Sequence, residues 1–322
     1  MKPNNILILG GSGFVGSVLC EKLVRQFSGG SARVTVVTSR LSHARHLLPL
    51  PTVDIALADV HDDAALERLL AGRDAVVNLV GILHGRKADF EHAHEALPRR
   101  LARACLAGGP RRVVHLSALG ADADAPSLYL RSKAAGEAAL LQQAGLAVTS
   151  LRPSVMFGAG DRFLTLFASL QAFAPVVPLA GASARFQPVW VEDVADAIVC
   201  ALGDAATAGQ TLECAGPRIY SLADLVRLAG LWSGHPRWVL PLPSALAWPM
   251  AAMMEWMPGE PLLSRDNLLS MQVPNIASGH RPGLDALGIT PTTLEAIGPG
   301  MLGAGGEAAR LDRWRAKVHG LR

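Results

Sequence analysis

A chain of 322 residues, half of them apolar and with a net charge of +3, has material for one large α/β domain and a smaller lobe. The charge is scattered and no basic block interleaves with aromatic residues, which argues against a nucleic-acid partner. No apolar run reaches about 18 residues, so no membrane-spanning helix is expected, and the first apolar strand starts without the regions of a secretory signal.

Four cysteines, Cys20, Cys105, Cys200 and Cys214, lie far apart in apolar contexts and form no CxxC pair. They read as buried free thiols of a reducing, cytoplasmic compartment.

Ile6-Leu7-Ile8-Leu9 is an apolar run of the kind needed by a strand buried on both faces. It ends in Gly10-Gly11-Ser12-Gly13-Phe14-Val15-Gly16, after which Val18, Leu19, Leu23 and Val24 recur at helical spacing. Strand, tight turn and helix are therefore expected. Gly10 turns the chain off the strand, Gly13 leaves room for backbone to approach a pyrophosphate, and Gly16 lets the helix pack closely on the sheet. The helix N-terminus offers free N–H groups and a positive dipole end to the phosphates.

Strand-like runs follow at 34–37, 53–58, 75–80, 112–116 and 147–151, with helical patterns at 62–70, 90–107 and 132–143 between them. Such alternation builds βαβ units, so the fold class is α/β, a Rossmann-like doubly wound parallel sheet with its ligand at the carboxyl ends of the strands. Beyond Pro153 the pattern is less regular: a helix at 163–173, a strand at 187–191 leading into a helix at 192–202, and a strand at 210–214. Ser221 and Asp224 are spaced as a capping box. The nucleotide-binding domain is expected in 1–180, with returning segments at about 186–216, and a smaller lobe and tail in 217–322.

An NAD site ends its second strand in an acidic residue that binds the ribose 2′-hydroxyl. Here Thr38-Ser39-Arg40 stands at that place. Arg40 can pair with a 2′-phosphate, and Thr38 or Ser39 can donate hydrogen bonds to it. NADP(H) is therefore expected to be preferred, with NAD(H) the other candidate. Asp59 and Val60, after the third strand, are placed for the adenine. Asn78, Leu79, Val80, Gly81 and Ile82 are expected to pass beneath the nicotinamide-side ribose.

Tyr129 and Lys133 are four apart and share a face if helical. An ammonium near a phenol lowers its pKa, and the phenol can then act as acid or base on a substrate hydroxyl or carbonyl. His92 and His94 are two apart on a helix and diverge, and no carboxylate or thiol set completes a metal site, so no metal is expected.

The glycine turn, Asp59-Val60, Tyr129-Leu130-Arg131-Ser132-Lys133, Leu151-Arg152-Pro153 and Val191-Glu192-Asp193-Val194 together resemble the extended short-chain dehydrogenase/reductases. Asn78-Leu79-Val80-Gly81-Ile82-Leu83, His115-Leu116-Ser117-Ala118-Leu119-Gly120-Ala121 and Pro261-Leu262-Leu263-Ser264-Arg265-Asp266-Asn267 resemble an atypical branch of that family. The branch includes the nucleotide-binding accessory subunit of mitochondrial respiratory complex I and its bacterial relatives. The resemblance covers nearly the whole chain. It implies a bound NADP(H), contacts to it from Lys133 and Pro153, and a catalytic set of Tyr129, Lys133 and Ser117. Three departures stand against an intact relay: Ser117 is only twelve residues before Tyr129, Ala118 occupies the neighbouring position, and His94 stands where many relatives carry Asn.

Two functions follow: an oxidoreductase, epimerase or dehydratase using NADP(H), or a non-catalytic structural or assembly protein stabilised by that nucleotide. A redox-sensing nucleotide binder is a third reading. The stretch 242–258 carries two tryptophans, four methionines and one charge. It reads as a helix pair packed on the second lobe, as a lid that presents an adaptable methionine surface to a small apolar substrate, or as a docking surface for a membrane or membrane complex. The resemblance implies a membrane-associated, quinone-related complex as partner, with the protein peripheral at the inner face of the membrane.

Overall fold

The computed structural model describes residues 3–26, 32–256, 259 and 261–303. Strand β1 (Asn5–Leu9) runs into the glycine turn and helix α1 (Phe14–Gln26). Strand β2 (Arg33–Thr38) is followed by the short helix α2 (Leu41–Ala44), and strand β3 (Val53–Leu57) by α3 (Asp63–Leu70). Asp62 caps α3 by accepting the Ala65 N–H at 3.0 Å. Then come β4 (Ala75–Asn78), α4 (Lys87–Phe90), a π-helical segment (Glu91–Ala96) and α5 (Leu97–Ala107).

The single helix expected over 90–107 is thus three pieces, and Pro98 accounts for the change. In an unbroken α-helix its missing N–H would have bonded the His94 carbonyl. The backbone widens instead, and the Leu97 N–H reaches back to the His92 carbonyl, five residues away. The His94 carbonyl left over lies against Gly136, where a Cβ would come within 1.9 Å of it.

Strand β5 (Arg112–Leu116) leads to α6 (Leu128–Leu141) and β6 (Ala147–Pro153). Helix α6 begins four residues before the expected 132, because the Ser127 hydroxyl caps it by accepting the Leu130 N–H at 3.2 Å. The chain continues with β7 (Met156–Phe157), α7 (Phe163–Phe173), β8 (Val176–Ala180), β9 (Arg185–Phe186), β10 (Val189–Trp190), α8 (Val191–Gly203) and β11 (Thr211–Cys214). It closes with β12 (Tyr220–Ser221), α9 (Leu222–Trp232), β13 (Trp238–Leu242), α10 (Ser244–Glu255), α11 (Arg265–Ser270) and α12 (Leu294–Leu302).

Seven strands pair in the order β11-β6-β5-β4-β1-β2-β3. Every neighbouring pair in this sheet is parallel. Ile6, Leu7, Ile8 and Leu9 are all fully buried, which is why the β1 sequence is a continuous apolar run and not an alternating one. The order reverses beside β1, which puts the glycine turn at the topological switch point.

The described residues part into two units. The first holds those within 1–153, 191–214 and 277–290, and the second those within 154–190, 215–276 and 291–322. The first unit's opening segment ends at Pro153, and β7 and β10, both in the second unit, pair in parallel with each other. In the first unit α8 packs on α1, tied by Lys22 to Asp196 at 2.8 Å and to Glu192 at 3.4 Å. In the second unit, Phe157, Leu164, Leu225 and Leu294 form a core under α7, α9 and α12.

The stretch 242–258 holds one helix, not a pair, with Pro249 inside it. Ala247 and Ala251 are buried against Leu268, while Trp248 is 41% and Trp256 90% exposed. Met257 and Pro258 lie outside the described residues. Among the described residues no helix is long and apolar enough to cross a membrane.

Candidate functional site

Gly10 has φ +77°, and a Cβ on it would lie 3.1 Å from the Leu79 carbonyl carbon and the Val80 nitrogen. Both the left-handed turn and the close approach of the chain after β4 require glycine there. Gly16 does not pack on the sheet as expected. A Cβ there would lie 2.4 Å from the Gly11 Cα, so Gly16 closes the loop on itself. It is Gly11 that meets the sheet, with a Cβ 2.9 Å from Val36.

Gly13 is exposed, and a Cβ on it would meet only the Gly10 carbonyl at 3.3 Å. The N–H groups of Phe14, Val15 and Gly16, in the first turn of α1, have no intrahelical acceptor. Ser12 is half-buried beside them. An unfilled glycine face next to free donors at a helix start fits a diphosphate. The Ser17 hydroxyl braces the loop: it donates to the Gly13 carbonyl and accepts from His46 Nε2, each at 2.8 Å.

At the end of β2, Thr38 is buried and its hydroxyl donates to the Arg40 carbonyl at 3.0 Å. It shapes the turn and is not free to meet a phosphate. Ser39 and Arg40 are exposed, and among the described residues no carboxylate pairs with Arg40. After β3, Asp59 is exposed and its Oδ1 accepts the His61 N–H at 2.9 Å. Val60 and Val80 pack on the buried cluster of Leu7, Leu9 and Val76. The Leu79 N–H donates to the Leu9 carbonyl at 2.9 Å, which holds the chain after β4 against the glycine turn.

Gly81 is exposed, and its Cβ position lies 3.3 Å from Lys133 Nζ and 3.4 Å from His94 Nε2. The Ile82 N–H donates to His94 Nε2 at 3.0 Å. Its other ring nitrogen must then carry the proton, and Nδ1 donates to Ser132 Oγ at 2.8 Å. Ser132 in turn donates to the Tyr129 carbonyl at 2.8 Å. His94 thus fastens the chain after β4 to α6. Burial, then Lys133 and His115, pushes its imidazole down to about 3, so it is neutral.

Lys133 is buried and donates to the Leu116 carbonyl at 2.8 Å. Burial lowers its ammonium to about 8, against the pull of Glu137. Tyr129 is half-buried and packs edge-on to His94 at 5.7 Å and Phe90 at 6.2 Å. Burial pushes its phenol up to about 12. Tyr129 and Lys133 do share one helix, as their spacing predicts. The pKa of the phenol nevertheless moves up, through burial.

Ser117 is buried just after β5, and its hydroxyl has no hydrogen-bond partner among the described residues. It belongs to a buried polar layer between the sheet and α6, with Asn78, His115, Ser150, Arg152 and Glu137. Burial alone would raise the Glu137 carboxyl. Arg152, with the Ser150 hydroxyl, holds it below its usual range. Arg152 grips it with Nη2 at 2.7 Å and Nε at 2.9 Å, and Ser150 donates at 2.9 Å. Ala118 carries no hydroxyl. The Pro153 carbonyl accepts the Leu119 N–H at 3.0 Å, and the residue is buried.

Sequence reading missed Ser132, Gly136 and Glu137. The available signal was spacing on α6, where Ser132 and Gly136 are four apart, as are Lys133 and Glu137. Small residues at that interval let another backbone approach, and a charged pair there shares a face.

The chain matches the NAD dependent epimerase/dehydratase family over residues 6–215. It is 31% identical over 294 residues to the mouse NADH dehydrogenase [ubiquinone] 1 alpha subcomplex subunit 9, mitochondrial, covering 89% of this chain and 77% of that one. The protein of the same name from Arabidopsis thaliana is 30% identical over 307 residues, covering 89% and 74%. Among solved structures, the Bordetella bronchiseptica enzyme WbmF in complex with NAD+ superposes with a TM-score of 0.63 at 24% identity, covering 74% of this chain and 81% of that one.

Proposed function

The chain belongs to the NAD dependent epimerase/dehydratase family, and from that premise we propose that it binds NADP(H) at the carboxyl edge of the seven-stranded sheet, chiefly as a ligand that holds the fold. The observation that carries the choice of nucleotide is Arg40, exposed at the end of β2 and without a carboxylate partner among the described residues. A guanidinium there favours a 2′-phosphate over a bare hydroxyl. NADPH is expected to bind at least about tenfold tighter than NADH, about 1.4 kcal/mol, and Arg40→Ala to remove most of that gap. Calorimetric titration that finds equal affinities for both nucleotides in the unmutated protein would sink the reading.

A stabilising role follows from mass action: a ligand at about a hundred times its dissociation constant adds about 2.7 kcal/mol to folding. It is supported by the state of the proton-handling group. The phenol of Tyr129 is pushed up to about 12 by burial. Family catalysis is the second reading, supported by Lys133 beside Gly81 and one turn from Tyr129. A bound nicotinamide would supply the hydride, and Tyr129 would hold the proton for a substrate oxygen. Nucleotide copurified with the protein decides between them. If a metabolite panel never oxidises or reduces it, the stabilising role stands; turnover favours catalysis.

The two residues of the pair are expected to part company in binding. Lys133→Ala should weaken NADPH binding about tenfold or more, and Tyr129→Phe less than about threefold. Equal losses in a titration of both variants would mean that Tyr129 also touches the nucleotide.

A further inference from the structure

His61 follows the adenine-side residues Asp59 and Val60, and His92 lies in the π segment after α4. Their rings stack face to face, with centroids 3.6 Å apart and planes within 19°. The same six-residue segment carries His94, which holds the Ile82 N–H on the nicotinamide side. Both loops that would border a dinucleotide are therefore fastened to one short element, each through a histidine.

Resting on the nucleotide reading above, we propose that the His61–His92 stack is a positioning pair for the adenosine half of the ligand: neutral, it latches the loop after β3 to the π segment, and protonated, it lets that loop go. His61 Nδ1 is buried with no hydrogen-bond partner. A proton added there would be a buried donor without an acceptor, which the fold disfavours. A charge on either ring also repels a charge on the other at stacking distance.

The surroundings do not offset this. Arg100 of α5 faces His61 and opposes its charge, although Asp63 pairs with Arg100 at 2.5 Å. Asp59 on the same loop favours the charge, and Asp89 of α4 stands near His92. The net result agrees with the geometry: burial first, then His92, holds the His61 imidazole below its ordinary value despite Asp59. The His61 N–H bonds Asp59 Oδ1, so a displaced His61 also displaces the carboxylate placed for the adenine.

ADP-ribose is the probe, because it lacks the 2′-phosphate, which itself titrates near neutral pH. Calorimetry at pH about 8 and about 5.5, on either side of the ordinary histidine value, should find binding about fivefold weaker at the lower pH. His92→Phe keeps a stacked ring without a second proton site, and its affinities at the two values should agree within about twofold. His92→Ala should bind more weakly than the unmutated protein at both. NMR titration of the His61 ring, with no ligand present, should show a pKa below that of a free histidine. An unmutated protein that binds equally well at both pH values, a His92→Phe variant with the full pH dependence, or a His61 ring titrating at or above the free value would overturn the latch. No binding of any nucleotide at pH about 8 would overturn the nucleotide reading, and the latch with it.

Discussion

Arg152→Ala is expected to cost about 3–5 kcal/mol of folding stability, the range for removing one partner of a buried ion pair. The side chains of Arg152 and Glu137 are only 14% and 6% exposed, and the guanidinium grips both carboxylate oxygens. Alanine leaves the carboxylate buried with the Ser150 hydroxyl and no cation of matching geometry. Replacing both partners should cost less than removing one: an Arg152→Met, Glu137→Gln double variant buries no uncompensated charge.

The pH dependence has a definite sign. The Glu137 carboxyl lies below its ordinary value in the native protein. Its contribution is therefore present above the unfolded value and lost as pH falls through the folded one. Without Arg152 the carboxyl rises, so the deficit of Arg152→Ala should narrow as the medium is acidified. Urea unfolding midpoints with an unchanged slope are the measurement. A loss under about 1 kcal/mol would mean that water or another cation has replaced the guanidinium.

Acidification from pH about 7 to about 5 is expected to remove about 4 kcal/mol from the nucleotide-free protein, about 2 kcal/mol for each of two histidines. His94 and His115 are both pushed down to about 3, His94 by burial, Lys133 and His115, and His115 by burial and Lys133 against Glu137. An unfolded chain takes up protons at about 6.5 on each of them. For a base whose folded value is depressed, stability is fully present above the unfolded value. It declines as pH falls below that value, until the folded value is reached. The window thus opens near 6.5 and extends to about 3. Lys133, lowered to about 8, acts only above that value. Glu137 acts only below the ordinary carboxylate range. His94→Asn and His115→Asn should each remove about half of the slope between pH about 7 and about 5, whatever they cost at neutral pH. A slope unchanged in both variants would show that other groups carry the acid sensitivity.

The order of the sheet strands and of the longer helices in the first unit was legible because those elements show their own period, whereas the four-residue helices α2 and α4 are too short to do so. Gly10 was legible as well, since its positive φ is a local demand of the turn. Arg40 could be placed at the end of β2 because the apolar run of that strand ends three residues before it, at Val37. The Tyr129–Lys133 pair was legible for the same kind of reason, since four residues on a helix make one turn.

Contacts between distant segments were not legible. Spacing named three glycines but could not say that Gly16 meets Gly11 while Gly11 meets Val36. Nor could spacing say that Arg152 of β6 reaches Glu137 of α6. His92 and His94 were read against a metal and given no other partners. Only the folded chain brings them to His61, Ile82 and Ser132.

The sequence by itself determined the α/β class, the parallel sheet of the first unit, the glycine turn at its head and the cation at the end of β2. All of these rest on periodicity or on the backbone freedom of single residues. The tertiary structure alone decided that Pro98 opens a π segment whose His94 carbonyl meets Gly136, and that Ser150 and Arg152 of β6 meet Glu137 of α6. It also decided that α10 buries Ala247 and Ala251 while Trp248, and Trp256 just after the helix, stay exposed. The physical reason is common to all three. A strand or helix states which residues share a face, but which element covers that face depends on chain crossings many residues away, and the charge state of a buried group depends on what that element brings.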